Sequence, residues 1–186
     1  MRKRMVLVTS TMFLVMFAGI VYAGQKAPQK VVDLAPKLAK YGTDKVIVEA
    51  VKAENAKGKT VAQAKEMDKK WKGTPGVADF MKAEIESQCG KRLHEIRKSE
   101  SYFEELFVMD SIGGNVCITN KTTNYWRGDM DKFTKAYNNG KGGVYIGDLK
   151  FDDSSQAYLV QVSVPVKDGN NAIGTITFGI NPDRMK

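Results

Sequence analysis

Four residues in the middle of the chain are of types that together could bind a small organic anion. Tyr125, Trp126 and Arg127 are consecutive, and Tyr145 follows after a stretch that includes a glycine-rich turn. A guanidinium binds a carboxylate through two parallel hydrogen bonds, and neighbouring aromatic rings exclude water from that contact. The pattern favours a lid, formed by residues 120–145, over a pocket for a small anion.

The floor of this pocket is predicted on one face of two strands. Alternation over 157–166 and 173–180 places large apolar side chains on one face and small polar ones on the other. The polar face carries Gln161 and Ser163, which we assign to ligand binding together with the four lid residues. The alternative is a sheet face that is simply solvated. The apolar face requires a covering helix.

No group of residues suited to catalysis or to metal binding can be assembled from the sequence. His94 is the only histidine and lies on a basic segment that is expected to be exposed. There is no Gly-x-Ser-x-Gly motif, and neither Asp129 with Asp131 nor Asp152 with Asp153 follows the spacing of a calcium loop. We expect no catalytic residue, no metal site and no cofactor, and therefore not an enzyme.

Helices are predicted in the first half of the chain and strands in the second. Helical periodicity predicts a long amphipathic helix over 31–57, bent near Gly42, and capping patterns at Thr60 and Thr74 begin two more helices. Strands are predicted at 106–109, 116–119, 144–149, 157–166 and 173–180, with a short helix at 129–137. This order predicts an α+β fold, in which the long N-terminal helix packs on a five-stranded antiparallel sheet.

The length of the chain is that of a single domain, and its N-terminal residues are typical of an exported protein. The chain has 186 residues and a formal net charge of +8. A basic start, an apolar run over 5–21 and small residues ending at Ala23 are typical of a signal peptide cleaved after Ala23. The predicted organisation is a signal peptide over 1–23, a polar leader over 24–30 and a single domain over 31–186. An uncleaved N-terminal membrane anchor is the alternative. Export to the periplasm makes nucleic acid an implausible partner.

The two cysteines, Cys89 and Cys117, would then lie in a compartment where disulfides form. One interpretation is a structural disulfide joining a helix to a strand. The other is a pair of buried thiols, because Cys89 also fits an apolar helical stripe.

Five segments of the second half together resemble a Cache domain, the PAS-like extracellular sensor module of bacterial chemoreceptors and sensor kinases. In order, these landmarks are 106–119, with its glycine-rich turn, and then 122–129, 143–147, 162–166 and 174–180. The resemblance implies a PDC-type single Cache fold that binds a short carboxylate, an amino acid or an amine in signal transduction or chemotaxis.

The resemblance also bears on the ligand. In amino-acid-binding Cache domains, a Tyr-x-Asp motif and a late aspartate hold the ammonium group. This sequence keeps Tyr145 but has Gly147 at the aspartate position, and its last strand has no carboxylate. An ammonium would lack its counter-charge, so a short keto or hydroxy acid is the preferred ligand. Asp148 would restore amine binding if the register differed by one residue.

The predicted function is a periplasmic sensor module that binds a small organic acid. Because the sequence ends at Lys186 without a second apolar span, we expect a membrane-bound receptor or kinase as its partner, and a homodimer through the N-terminal helix. The alternatives are a structural or adaptor protein of the envelope with a degenerate Cache fold, and an amino-acid- or amine-binding Cache domain.

Overall fold

The computed structural model describes residues 24–186. The predicted signal peptide over 1–23 lies outside this range. Within 24–186, every helix is too short or too polar to cross a bilayer.

The first half of the described chain is helical, as predicted, but the long N-terminal helix is divided. It consists of α1 (Gln29–Val32), α2 (Ala35–Ala39), a 3-10 turn (Lys40–Thr43) and α3 (Lys45–Ala56). Pro36, which has no N–H to donate, lies in the first turn of α2 and favours a helix start there. At Gly42 a Cβ atom would lie 2.0 Å from the carbonyl oxygen of Pro165, so the chain passes too close to the sheet for any side chain.

Three further helices follow, and side-chain capping marks where the first and the third of them begin. Helix α4 (Val61–Gly73) begins at the predicted capping box, in which Thr60 and Gln63 satisfy each other's backbone N–H groups. The cap predicted at Thr74 is wrong, because Thr74 ends α4 and the next helix, α5 (Asp79–Glu86), begins after Ala78. The apolar helical pattern that continues toward Arg97 is interrupted, as its glycine at position 90 allowed, and a separate helix, α6 (Gln88–Ser99), follows. The two helices are separated at Ser87, whose hydroxyl accepts a hydrogen bond from the Gly90 N–H at 2.9 Å.

The sheet is antiparallel and has six strands rather than the five predicted. The strands are β1 (Phe103–Met109), β2 (Asn115–Ile118), β3 (Tyr145–Ile146), β4 (Lys150–Asp152), β5 (Ala157–Asp168) and β6 (Asn171–Ile180). Their order is β2-β1-β6-β5-β3, and β4 pairs with the beginning of β5. The extra strand arises because residues 150–152, between the predicted strands 144–149 and 157–166, pair with residues 157–159. Helix α7 (Asp131–Tyr137) lies between β2 and β3 in the chain.

Both faces of the sheet are covered. The first is apolar, as predicted, and packs against the N-terminal helices and α6; its buried residues include Val160, Val162, Val164, Ile176 and Phe178. The second face, predicted to be a polar floor, packs against a separate cluster around Trp71, Met81 and Phe133. Ser163 and Thr177 on this face are fully buried, and their hydroxyl groups are hydrogen-bonded to each other at 2.8 Å.

A disulfide joins α6 to β2. The sulfur atoms of Cys89 and Cys117 are bonded in the structure, and their Cα atoms are 5.8 Å apart. Both residues are buried in the core on the apolar face of the sheet, so the disulfide and the apolar packing both stabilise the contact between α6 and the sheet.

Candidate functional site

Two adjoining cavities lie where the 122–132 segment and α7 meet the β3–β4–β5 edge of the sheet. They have volumes of about 230 and 170 Å³ and share Lys132, Asp152 and Gln161 in their walls. We call them together the Lys132 cleft. The larger also has Tyr145, Gly147 and Asp148 in its wall, and the smaller has Glu105, Phe107 and Arg127.

Arg127 is buried, with 3% of its surface exposed. Its guanidinium carbon lies 4.3 Å from the centre of the Phe107 ring, a cation–π contact, and its Nη1 donates a hydrogen bond to Asn115 Oδ1 at 2.8 Å. Burial lowers the pKa of Arg127 to about 10, so the side chain still carries its charge at neutral pH. A positive charge is therefore held in the wall of the cleft.

Lys132 adds a second positive charge at the beginning of α7. Its Nζ lies 5.9 Å from the centre of the same Phe107 ring. Burial, together with the charge of Arg127, lowers the pKa of Lys132 to about 8. Among residues 24–186, neither Lys132 nor Arg127 has a carboxylate within ion-pair distance, and Lys132 has no hydrogen-bond acceptor either.

Glu105 lies on β1 and is almost completely buried. Its carboxylate accepts hydrogen bonds from Gln161 Nε2 at 3.0 Å and from Ser154 Oγ at 3.3 Å. Burial, and then the negative charge of Asp152, raise its pKa. Gly179 on the neighbouring strand makes room for it, because a Cβ atom there would lie 2.6 Å from Glu105 Cγ.

The β3–β4 connection contributes the outer wall of the cleft. Tyr145 pairs in register with Ser163, and the Gly147 N–H donates to the carbonyl oxygen of Gln161 at 2.9 Å. This geometry brings Asp148 into the cleft wall together with Tyr145. Asp148 forms an exposed ion pair with Lys26, with an N–O distance of 3.2 Å.

Three of the six residues assigned from the sequence do not line the cleft: Tyr125, Trp126 and Ser163. Asp68 Oδ1 on α4 accepts hydrogen bonds from the backbone N–H groups of Tyr125 and Trp126, at 2.8 and 3.2 Å, which draws this part of the segment toward the helices. The Tyr125 ring packs against Trp71, and the Trp126 indole donates to the carbonyl oxygen of Ile112 at 2.8 Å.

Ser163 is excluded for a different reason. It is buried on the second face of the sheet, and its hydroxyl is hydrogen-bonded to Thr177 rather than exposed to a cavity.

The other three predicted residues, Arg127, Tyr145 and Gln161, do lie in the cleft wall. The predicted lid is therefore divided, because Arg127 and Tyr145 line the cleft whereas Tyr125 and Trp126 pack with the Trp71 cluster.

Sequence reasoning missed four charged residues of the cleft: Glu105, Lys132, Lys150 and Asp152. For Glu105 a signal was present. Along β1 it lies two residues before Phe107 and four before Met109, which are apolar and share its face, so the period of two already placed a carboxylate on an inward-facing position. Lys132 and Asp152 gave no such signal, because a charged residue at a helix start or in a turn is normally solvated.

The fold is similar to that of bacterial sensor domains. No protein-family model matches the sequence, and no curated protein sequence matches it. The sensor domain of the Vibrio cholerae histidine kinase DctB matches the structure with a TM-score of 0.53 and 11% identity, over 82% of this chain and 50% of that one. The chain has the fold of that sensor domain, in agreement with the PAS-like α+β fold that the resemblance to a Cache domain predicts. It spans half the length of the DctB domain.

A second match is the sensory domain of the Campylobacter jejuni chemoreceptor Tlp3, solved with isoleucine bound. Its TM-score is 0.41 and its identity 17%, over 84% of this chain and 64% of that one. Both matches are to sensory domains of larger proteins, a histidine kinase and a chemoreceptor.

Proposed function

We propose that this chain is a periplasmic sensor module that binds a small carboxylate in the Lys132 cleft and passes a conformational change to a membrane-bound receptor or kinase. The observation that carries the proposal is the pair of cations in one small cleft, Arg127 and Lys132, without an ion-pair partner among residues 24–186. Holding buried charges without a counter-ion is costly, and an anionic ligand would supply that counter-ion.

The size of the cleft agrees with a short acid. The volumes of about 230 and 170 Å³ suit a ligand of a few heavy atoms, such as a short keto or hydroxy acid, rather than a peptide or a nucleotide. The carboxylate would lie between Arg127 and Lys132. The Gln161 amide and the Tyr145 hydroxyl are the polar groups available to a keto or hydroxyl oxygen.

An amino acid is the second candidate, and Asp148 is the observation that favours it. Gly147 stands at the position where the resemblance implies an aspartate, but Asp148 reaches the cleft wall one residue later. Asp148 and Asp152 could hold an ammonium group while Lys132 and Arg127 hold the carboxylate. These carboxylates make the cleft mixed in charge rather than simply positive.

A thermal-shift and calorimetric screen with pyruvate, lactate, alanine and methylamine distinguishes these candidates. We expect pyruvate or lactate to bind, and Lys132→Met and Arg127→Lys each to weaken that binding about tenfold to a hundredfold, the range of a lost charge-assisted hydrogen bond. Lys141→Met is the control, because Lys141 is an exposed lysine shortly after the same helix and lies outside the walls of both cavities. Acid binding that is unchanged in both cleft variants would contradict the proposal.

Preference for alanine, lost in Asp148→Asn, would identify the amino-acid candidate instead. A complete absence of binding would favour the structural or adaptor role in the envelope. The homodimer remains a prediction, and it would have to use the polar face of the N-terminal helices, because Val31, Leu38 and Val51 are buried in the core.

A further inference from the structure

Asn115 is a buried polar residue in contact with the arginine of the Lys132 cleft. It is the first residue of β2 and is 2% exposed. Its backbone N–H donates to the carbonyl oxygen of Tyr125 at 3.1 Å, and in the sheet it pairs with Met109 on β1. These backbone contacts fix the position of Asn115 relative to Arg127, which follows Tyr125 by two residues.

The side chain of Asn115 contacts two charged or chargeable groups. Its Oδ1 accepts a hydrogen bond from Nη1 of Arg127 at 2.8 Å. The same side chain hydrogen-bonds the carboxyl group of Glu84 on α5. Because the donor and the acceptor of an amide lie on different branches, the contact with Glu84 leaves Oδ1 directed at Arg127.

Arg127 is held in the cleft wall without a negative charge in contact with it. Its guanidinium carbon lies 4.3 Å from the centre of the Phe107 ring, and its one hydrogen bond goes to the neutral amide oxygen of Asn115. Burial lowers its pKa, and the carboxylates that oppose this change, Glu105 foremost, act from beyond ion-pair distance. Arginine is rarely buried without a carboxylate partner, so a neutral acceptor here calls for an explanation.

Asparagine at this position differs from aspartate in charge rather than in shape. Aspartate would place a carboxylate oxygen where Oδ1 now lies, 2.8 Å from Nη1 of Arg127. Its other oxygen could accept from Glu84, whose pKa of about 8 leaves it mostly protonated at neutral pH. A hydrogen bond between two charged groups is stronger than one to a neutral amide. Aspartate would therefore complete an ion pair inside the wall and reduce the attraction of Arg127 for an anion in the cleft.

We propose that Asn115 is a positioning residue that determines the charge specificity of the Lys132 cleft. It fixes the guanidinium of Arg127 through a neutral acceptor, so the counter-ion has to come from the ligand. Among residues 24–186, Asn115 is the only hydrogen-bond acceptor for this guanidinium, and Nε and Nη2 remain for two parallel hydrogen bonds to a carboxylate. The inference rests on the proposed function, because it concerns the same anion in the same cleft.

Two pairs of ligands test this inference in calorimetric titrations of the purified protein: pyruvate with pyruvamide, and lactate with lactamide. Each amide keeps the shape of its acid and removes the charge. We expect Asn115→Asp to weaken acid binding at least about tenfold and to change amide binding by about twofold at most, because only the acid uses the uncompensated charge of Arg127. Loss of a merely structural contact would weaken acid and amide equally.

Thermal unfolding without ligand gives a second readout of the same substitution. Asn115→Asp should unfold about 2–4 °C above the wild type, because the new ion pair stabilises the folded protein. A residue with a merely structural role would lose stability and affinity together. Weaker acid binding in a more stable protein is therefore the expected signature of Asn115.

Two further variants complete the test. Asn171→Asp makes the same change at an exposed position outside both cavity walls and should leave acid binding unchanged. Asn115→Ala removes the acceptor without adding a charge. It should weaken acid binding about tenfold, the effect of one lost hydrogen bond to a charged group, and it tests the inference even if Asn115→Asp fails to fold.

The outcomes separate the role of Asn115 from the proposed function. Wild-type protein that binds neither acid would overturn the proposed function and this inference with it. If the wild type binds an acid, unchanged acid binding in Asn115→Asp or Asn115→Ala would overturn the role of Asn115 alone. Equal losses for acid and amide in Asn115→Asp, or unfolding of that variant below the wild type, would do the same.

Discussion

Replacing Glu84 by glutamine should flatten part of the pH dependence of folding stability. Glu84 is partly exposed as a residue, but its Oε2 is fully buried. Burial raises the pKa of this carboxyl from 4.5 to about 8, with Lys59 opposing the change. Glutamine has the shape of the protonated side chain and cannot ionise, so Glu84→Gln removes the titration and keeps the packing.

Proton linkage gives the direction in which the stability contribution of Glu84 changes with pH. Between pH 4.5 and about 8, the folded protein retains a proton on Glu84 that the unfolded chain has lost. Stability from this residue is therefore fully present below pH 4.5 and is lost as the pH rises toward 8. Each pH unit corresponds to about 1.4 kcal/mol, so the loss over this interval is at most about 5 kcal/mol.

Urea unfolding of both proteins at several values between pH 5 and 8 measures the effect. Glu84→Gln should gain stability relative to the wild type as the pH rises, while the other titrating groups cancel in the difference. Glu86→Gln is the control, because Glu86 lies on the same helix with an exposed side chain and should follow the wild-type curve. A constant difference between wild type and Glu84→Gln across this range would refute the argument that Glu84 is buried in its protonated form.

Two further predictions concern the disulfide and the pH dependence of ligand binding. Unreduced exported protein should be two hydrogens lighter than the reduced protein, and reduction should lower the free energy of unfolding by roughly 3–4 kcal/mol, given the loop that Cys89 and Cys117 close. Labelling of free thiols at both positions would contradict this. Because the pKa of Lys132 is lowered to about 8, carboxylate affinity should fall by up to about tenfold between pH 7 and 9. Lys132→Arg stays charged and should remove that fall, and a fall of equal size in both proteins would assign the titration to another group.

Local signals predicted most of the secondary structure. The Thr60 capping box marks the beginning of α4, and the alternation in β5 and β6 gave their inward faces, because both depend on residues a few positions apart in the chain. The division of the predicted N-terminal helix into shorter helices was not predicted from the sequence. The close approach of Pro165 to Gly42 is a contact between distant segments, which no periodicity within either segment records.

In the candidate site, too, some features follow from residues close together in the chain and others from contacts between distant segments. The sequence by itself determined the fold class, the order of helices and strands, and which side chains share a face, because these follow from backbone geometry and from the period of apolar residues. Only the tertiary structure decided which polar residues share a cavity. Asp68 on α4 holds the backbone of Tyr125 and Trp126 through hydrogen bonds between segments far apart in the chain, while Arg127 lines the same cavity as Lys132.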